Sequence, residues 1–421
     1  MAQSLEVYEF RGSRIAPGLA LLSKQDIYQD DLSGNDALAA PGRGAWPIRA
    51  ALLPVSQAPE IIAPWRRLCR NLVEENPFFE PWALAPALTA YADAKVKIAC
   101  IWAGVELIGL LPVQAVRGYA NLPVAYWETW THPHCYFGAP LVRRGFSREF
   151  FSALFSLLCE GDRARAFLRL RLMDEQGPLA SAMKGAGELA GRIVYQAGAY
   201  ERAALFAGLS ADIFLASNIR KKKRKELRRL RNRLEERGRV TVRILTETDR
   251  LEEWAEQFLA LEDKSWKGQR GTSLKAAGRD ALWFQKTLCG ARAAGKLHFI
   301  RLDLDARPIA MLVSFLSKGA GYSLKICHDP GLARFSPGVM AEIEASQNLL
   351  GDPAFNFMDS CAARDHPMIN SLWRDRRRIT GLNISAVGAL SKATLSLCRT
   401  LEAMRARLPN GEGLSSGRGA S

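Results

Sequence analysis

An internal echo constrains this chain more than any other feature. Val96, Ile98, Ile108, Leu110 and Leu111 recur 201 residues later as Leu297, Phe299, Ile309, Met311 and Leu312, with Ala310 in the place of Gly109. Each set crosses a short turn, Gly104 in the first and Asp305-Ala306 in the second, so each reads as a hairpin of two strands packed on a core. A Trp-led helical pattern precedes each hairpin, with Trp65, Leu68, Cys69 and Leu72 before the first and Leu251, Trp254, Phe258 and Leu261 before the second. Apolar spacing repeated at one offset predicts a duplicated domain. A length of 421 residues agrees, because one hydrophobic core rarely organises so long a chain.

The remaining pattern sets the expected boundaries. Residues 1–45, punctuated at their end by Gly34, Pro41, Gly42 and Gly44, read as a partly disordered lead-in. A first domain is expected over 46–209 and a second over 210–388, with a terminal helix and flexible Gly/Ser-rich tail over 389–421. In the first domain the periodicity predicts helices over 59–76, 146–159 and 178–189 and strands over 95–103, 106–116 and 165–172. In the second it predicts helices from Asp249 to about Trp266, over 279–293 and over 337–350. The strands expected there are 240–245, 296–304, 308–316, 321–327, 355–358 and 379–386.

Composition narrows the class. Hydrophobic residues make up 48% of the chain and aromatics 9%, which excludes a largely disordered protein. The first residues carry no basic run leading into an apolar stretch, and no apolar run approaches the roughly 20 residues that span a bilayer, so a cytoplasmic protein is expected. The eight cysteines form no CxxC pair and sit mainly in apolar segments, as structural thiols do, and no metal is expected. The formal charge of +15 is concentrated: Arg220 to Arg239 holds twelve Lys or Arg against three Glu. Ser217 or Asn218 can cap this basic helix and Gly238 ends it. Its apolar line, Ile219, Leu227, Leu230 and Leu234, predicts a solvated helix packed by one edge. Contact with an anionic surface through residues 220–239 is the competing role, and the absence of aromatics there argues against base stacking.

The chemistry is concentrated between Gly321 and Leu350. A strand runs into the loop His328-Asp329-Pro330-Gly331, and the loop ends at Ser336-Pro337-Gly338. Ser336 suits an N-cap and Pro337 the first helical position. The first amides of that helix lack partners and carry the positive end of its dipole, which makes an anion site suited to a pyrophosphate. Arg334 stands next to it. The order of elements, two strands about a turn, a third strand, an anion-ready helix start and a further strand, is that of the GNAT acyltransferase core.

From Asn218 to Trp373 the chain resembles the CelD-type acetyltransferase group, a GNAT-like family found near bacterial cellulose and exopolysaccharide functions. The resemblance rests on the basic helix ending at Gly238, the Trp254–Trp266 helix, the hairpin Leu304-Asp305-Ala306-Arg307-Pro308-Ile309-Ala310, His328-Asp329 and Ser336-Pro337-Gly338. The segments Trp65 to Phe79 and Gly138-Ala139-Pro140-Leu141-Val142 are similar to that group as well. The group's architecture is similar to that of the Fem peptidyltransferases, so the resemblance implies an α/β (α+β) chain of tandem GNAT-like domains, each a mixed central sheet flanked by helices. It implies acetyl-CoA or another acyl-CoA as co-substrate and transfer to an amine or hydroxyl, linked to polysaccharide or cell-envelope synthesis. One departure is plain: the Gly and Tyr-Lys pair that many members carry after the last core strand is missing from 357–370, which puts acceptor and catalytic detail in doubt.

On that reading, backbone amides at Leu324, Lys325 and Ile326 polarise the thioester carbonyl. Arg334, Phe335, Ser336, Gly338 and Val339 hold the CoA pyrophosphate. His328, Asp329, Asp359 and His366 compete as general base, since an imidazole or a placed carboxylate can take a proton at neutral pH. Tyr322 could reprotonate the leaving thiolate, and Cys327 or Cys361 could form an acyl-enzyme. The first domain has no Ser-Pro-Gly counterpart and is expected to shape the acceptor site for a small molecule or glycan. Two other functions fit the same pattern: a Fem-like transferase using aminoacyl-tRNA, with Arg228, Arg229 and Arg231 on its phosphates, or an inactive GNAT pair acting as an adaptor.

Overall fold

The computed structural model describes residues 46–406 together with a two-residue strand at 8–9; the lead-in expected over 1–45, that strand apart, and the tail beyond 406 lie outside the described residues. Among the described residues, fourteen strands form one mixed sheet. They are β1 (Tyr8–Glu9), β2 (Ile48–Pro54), β3 (Val96–Ala103), β4 (Glu106–Tyr119), β5 (Leu122–Thr129), β6 (Leu141–Val142) and β7 (Phe167–Asp174). The second seven are β8 (Val194–Phe206), β9 (Val240–Ile244), β10 (Leu297–Leu304), β11 (Arg307–Ser317), β12 (Ala320–His328), β13 (Phe357–Asp359) and β14 (Asp375–Ser385). The first-half helices are α1 (Ile62–Cys69), α2 (Pro81–Tyr91), α3 (Ser147–Cys159) and α4 (Pro178–Leu189). Then follow α5 (Ala211–Asn218), α6 (Lys221–Glu235), α7 (Leu251–Asp263), α8 (Trp266–Gln269), α9 (Gly278–Ala293), α10 (Pro337–Leu350), α11 (Pro367–Asn370) and α12 (Ala389–Ala406). None of the described helices is long and apolar enough to cross a membrane.

The echo is reproduced in the hydrogen-bond register. β3 pairs β4 with Ala103 opposite Glu106 and a register shift after Ile101; β10 pairs β11 with Leu304 opposite Arg307 and a shift after Leu302, the same positions 201 residues on. Both turns use two residues. Asp305 and Ala306 each take positive φ, 48° and 63°, as the primed hairpin turn requires, and the Asp305 carboxylate accepts the Arg239 amide at 2.8 Å. Gly109 has its own reason: a Cβ there would lie 2.0 Å from the Phe150 ring.

The halves diverge after the hairpin. In the second, β12 continues beside β11 to His328. In the first, β5 stops at Thr129 and the chain makes an excursion over 130–140 before β6 resumes pairing with β4 at Leu110↔Leu141. The halves also exchange strands. β14, expected as the last strand of the second domain, lies between β7 and β8 in the sheet of the first, and the end of β8 pairs with β13 of the second. One aromatic core therefore crosses between them, with Phe78 edge-on to Phe315 and Tyr322, and Phe137 stacked on Tyr322 at 5.5 Å.

Several boundaries differ from expectation. The helix expected over 59–76 is a 3-10 turn, Val55–Ile61, that leads into α1 and stops at Cys69, because Leu72 bridges to Arg143. Ser217 and Asn218 do not cap α6; they end α5, and Arg220 occupies the N-cap. Asp249 does not cap α7 either, since its carboxylate is taken by the Thr246 amide and hydroxyl and by Arg243.

Candidate active site

Three neighbouring features shape the far end of β12. First, the β11–β12 ladder slips at Leu324: Val313 faces Lys325 while Ser314 faces Ser323. A bulge of this kind leaves a residue without a ladder partner and re-aims the backbone. Second, β12 and β13 run parallel only from Ala320↔Phe357 to Tyr322↔Asp359, and β12 then runs on to His328 without β13 beside it. Alternate amides of Ser323 to His328 face that opening with no strand to accept them. Third, α10 begins beside the same strand end. A Cβ built on Gly338 would lie 3.5 Å from His328 Nδ1 and 3.8 Å from Ile326 Cδ1. Ile326, His328 and Gly338 are thus brought together.

Ser336 needs correction. It adopts the left-handed conformation, φ 56° and ψ 48°, and its side chain makes no capping hydrogen bond. A left-handed backbone turns the hydroxyl away from the amides it was expected to hold. The consequence favours a ligand: Pro337 has no amide proton, and Gly338 N and Val339 N have no carbonyl one turn earlier, so the first donors stay free. Met340 N is the first to be satisfied, on Ser336 O at 3.2 Å. Arg334 is exposed and lies over the Phe335 ring at 4.9 Å.

The residues proposed for proton transfer are dispersed. His328 is exposed at the strand end; burial lowers its pKa and Asp329 opposes that. Asp329 accepts Gly331 N at 2.9 Å and Arg307 Nη2 at 3.0 Å, which is the work of a turn former. His366 accepts the Ile369 amide and starts α11. Tyr322 is fully buried and donates its hydroxyl to Glu75 O at 2.9 Å. Burial raises that phenol's pKa far above the ordinary tyrosine value. Asp359 is also fully buried, with Oδ1 2.5 Å from Arg202 Nε and Oδ2 3.0 Å from Arg377 Nη1. Burial pushes its pKa up, but Arg202 and Arg377 outweigh that and hold it below the carboxylate range. A carboxylate clamped by two arginines is a poor base. The thiols of Cys327 and Cys361 are pushed well above the ordinary value, first by burial, so neither is an activated nucleophile.

A second cluster, absent from the sequence reading, lies on the other face of β12. Lys325 pairs across the ladder with Val313, on the face away from α10. Its Nζ is 4.0 Å from Glu262 Oε1, and burial lowers its pKa to about 8. Glu262, from α7, is buried and accepts Lys267 Nζ at 3.0 Å and Leu274 N at 2.9 Å. Asp280, from α9, accepts Tyr91 OH at 3.0 Å and stands 3.7 Å from His134 Nε2. His134 stacks on Trp283 at 4.4 Å and His132 on Tyr91 at 5.3 Å. Burial depresses the two imidazoles to about 2 and about 3, so both stay neutral. His134 Nε2 and Trp283 Nε1 are buried without a hydrogen-bond partner. One fact of the sequence pointed here: His132-Pro-His134 holds two of the chain's five histidines, and the structure places them in the 130–140 excursion from the first-half sheet. Residues from both halves meet at this cluster, and it lies across β12 from the opening left where β13 ends.

Residues 221–360 match the family model described as an acetyltransferase (GNAT) domain. That stretch runs from α6 to the end of β13 and contains the bulge, the opening and the start of α10. That stretch is similar to an acetyltransferase domain. No curated protein matches the sequence. Among solved structures, FemX superposes with a TM-score of 0.50 at 10% identity, over 82% of this chain and 98% of FemX. A tandem GNAT protein from the clavulanic acid biosynthesis pathway is similar at 13% identity and a TM-score of 0.40, over 81% and 99% of the two chains. L-PGS from Bacillus licheniformis is similar at 12% identity and a TM-score of 0.42, over 78% and 98%. At these identities the FemX likeness speaks for the fold alone: the chain is a mixed α/β protein of tandem GNAT-like halves. Among the described residues no group of three or more His, Cys, Asp or Glu is placed to hold a metal ion.

Proposed function

We propose that this chain transfers an acyl group, acetyl in the simplest case, from acyl-CoA directly to an amine or hydroxyl held between its two halves. The observation that carries this reading is the conjunction of the Leu324 bulge, the unpaired edge of β12 and the free amides at Gly338 and Val339. The pyrophosphate would rest on the α10 amides, and the thioester carbonyl would accept from β12 amides around Leu324 to Ile326. The acceptor would approach from the Lys325–Glu262 side.

The chemistry then balances without a covalent enzyme intermediate. The acceptor nitrogen or oxygen attacks the thioester carbonyl carbon, the C–S bond breaks, and the acceptor proton passes to a base while CoA leaves as thiolate and is reprotonated. Lys325, with its pKa near 8, is a base of suitable strength on the acceptor side, and Glu262 can hold a cationic acceptor before attack. His328 then lies beside the CoA rather than the acceptor. On this reading the chain divides near residue 210, the first half supplying Tyr91, His132 and His134 to the acceptor pocket. A polysaccharide or cell-envelope acceptor follows from the resemblance to the CelD-type group, so amino sugars head the acceptor panel.

Calorimetric titration with acetyl-CoA tests the reading. Gly338→Ala should bind like the parent, because its Cβ meets only ordinary contacts, the nearest at 3.5 Å. Gly338→Glu places a carboxylate over the free amides and should weaken binding by about tenfold or more. No binding at millimolar acetyl-CoA, or equal binding by both variants, would sink the proposal.

A further inference from the structure

The elbow between α5 and α6 is held rigidly for a surface feature. Ile219 is extended, φ −108°, and buried with Phe214, Leu349, Ile369 and Trp373, which pins the first turn of α6 against the segment that carries α11. Between the two lies a cleft of about 710 Å³. Arg220, Lys222, Lys223 and Arg374 line it, with Glu226 as its one lining carboxylate, and Glu226 is engaged by Arg229 through two hydrogen bonds of 2.5 and 2.9 Å. Lys223 Nζ donates to Ser371 Oγ at 2.5 Å, whereas Arg220, Lys222 and Arg374 have no carboxylate partner among the described residues.

Two independent observations make this more than a charged helix end. Arg220 occupies the N-cap of the fifteen-residue α6 without a capping side chain, so the amides of the first turn are unsatisfied inside the helix. Asn218, which lines the cleft, is only 7% exposed, and its buried Nδ2 donates to nothing. A buried amide donor normally has an acceptor. The convergence of free amides, the helix dipole, an orphan amide and unpaired cations fits a compact dianion.

We propose that the α5–α6 elbow is a second anion site, distinct from the start of α10, that takes the terminal phosphate or pyrophosphate of a small molecule. That phosphate has two possible sources: the 3′-phosphate of CoA, which rests on the acyl-CoA reading, or a phosphate on another small ligand such as the acceptor, which does not.

The full chain is titrated at fixed ionic strength with inorganic pyrophosphate, CoA and 3′-dephospho-CoA. The variants are Lys222→Ala/Arg374→Ala, the near-isosteric Asn218→Asp, and Arg228→Ala as a control, exposed on α6 outside the cleft. For the pyrophosphate titrations each is built on Gly338→Glu, which closes the other anion site at the start of α10; on that background the first two should weaken pyrophosphate about tenfold or more and Arg228→Ala should not. If the double variant also loses CoA but keeps dephospho-CoA, the donor's 3′-phosphate is the occupant; if neither CoA form changes, the phosphate belongs to another ligand. Equal pyrophosphate affinity in the parent and both cleft variants overturns the proposal. So does an equal loss in Arg228→Ala. Steeply salt-dependent tRNA binding that all three α6-region variants weaken, without a pyrophosphate effect, would replace the site with a nucleic-acid surface.

Discussion

Replacing Asp359 by asparagine separates a catalytic carboxylate from a structural one. In the structure Asp359 is fully buried and holds Arg202 through both oxygens, at 2.5 and 2.6 Å, while Arg377 Nη1 reaches Oδ2 at 3.0 Å. The Cys361 amide donates to Oδ1 at 2.9 Å. Asparagine keeps the shape and removes the charge. Arg377 retains Asp174 at 2.7 Å, but Arg202, 1% exposed, is left with neutral acceptors, Tyr136 O at 2.9 Å and the new amide oxygen, and becomes an uncompensated buried cation. Breaking one partner of such a buried pair costs about 3–5 kcal/mol. Asp359→Asn should therefore lower unfolding free energy by that amount in urea titrations at pH 7. Adding Arg202→Met should recover most of the loss, because the stranded charge goes with it. The sign with pH is fixed as well. A carboxyl whose folded pKa is depressed contributes stability that is complete above its unfolded pKa and lost as pH falls through the folded value, so parent and variant should converge below about pH 4. A variant within about 1 kcal/mol of the parent, yet inactive, would refute the structural assignment and restore Asp359 as a base.

Two further tests address the helix behind the donor opening and the acceptor side. Glu342 is buried on α10 with its pKa raised by burial to about 8 and no basic group paired to it among the described residues. The unfolded chain ionises near 4.5, so stability should fall as pH rises from there through about 8. Glu342→Gln should remove that fall and gain about 2–4 kcal/mol at pH 8, and denaturant curves of equal pH dependence in both proteins would contradict it. For Lys325, kcat/KM should rise with pH to a plateau above about 8. Lys325→Arg, which cannot give up its proton in that range, should lose about a hundredfold in kcat with little change in acetyl-CoA affinity, and an unchanged pH profile would remove Lys325 as the base.

Much of the second half was legible in the chain itself. The hairpins, their turns and the strand–loop–helix unit from Gly321 to Leu350 follow from local alternation and turn chemistry, which depend on neighbours a few residues apart. The basic helix was also legible, although its start was not: Ser217 and Asn218 end α5, and α6 runs from Lys221 to Glu235. Strands β1, β2, β5, β6 and β8 were missed. β8 carries Gln196, Gly198, Glu201 and Arg202 in the sequence VYQAGAYERAALF, which shows no clean period and makes sense only beside β14 and Asp359.

The sequence by itself determined which segments pair locally, where the duplication lies and which helix start offers free amides, because these are matters of side-chain alternation, turn geometry and a proline without an amide. Tertiary structure alone decided three things. It carried β14 into the first half, since the energy of a strand in an exchanged sheet is the same hydrogen-bond ladder found at a different partner. It turned Asp359 from a candidate base into half of a buried ion cluster, because a carboxylate's role is set by what surrounds it. It also assembled Tyr91, His134, Glu262, Asp280 and Lys325 from both halves of the chain, a proximity that no local pattern encodes.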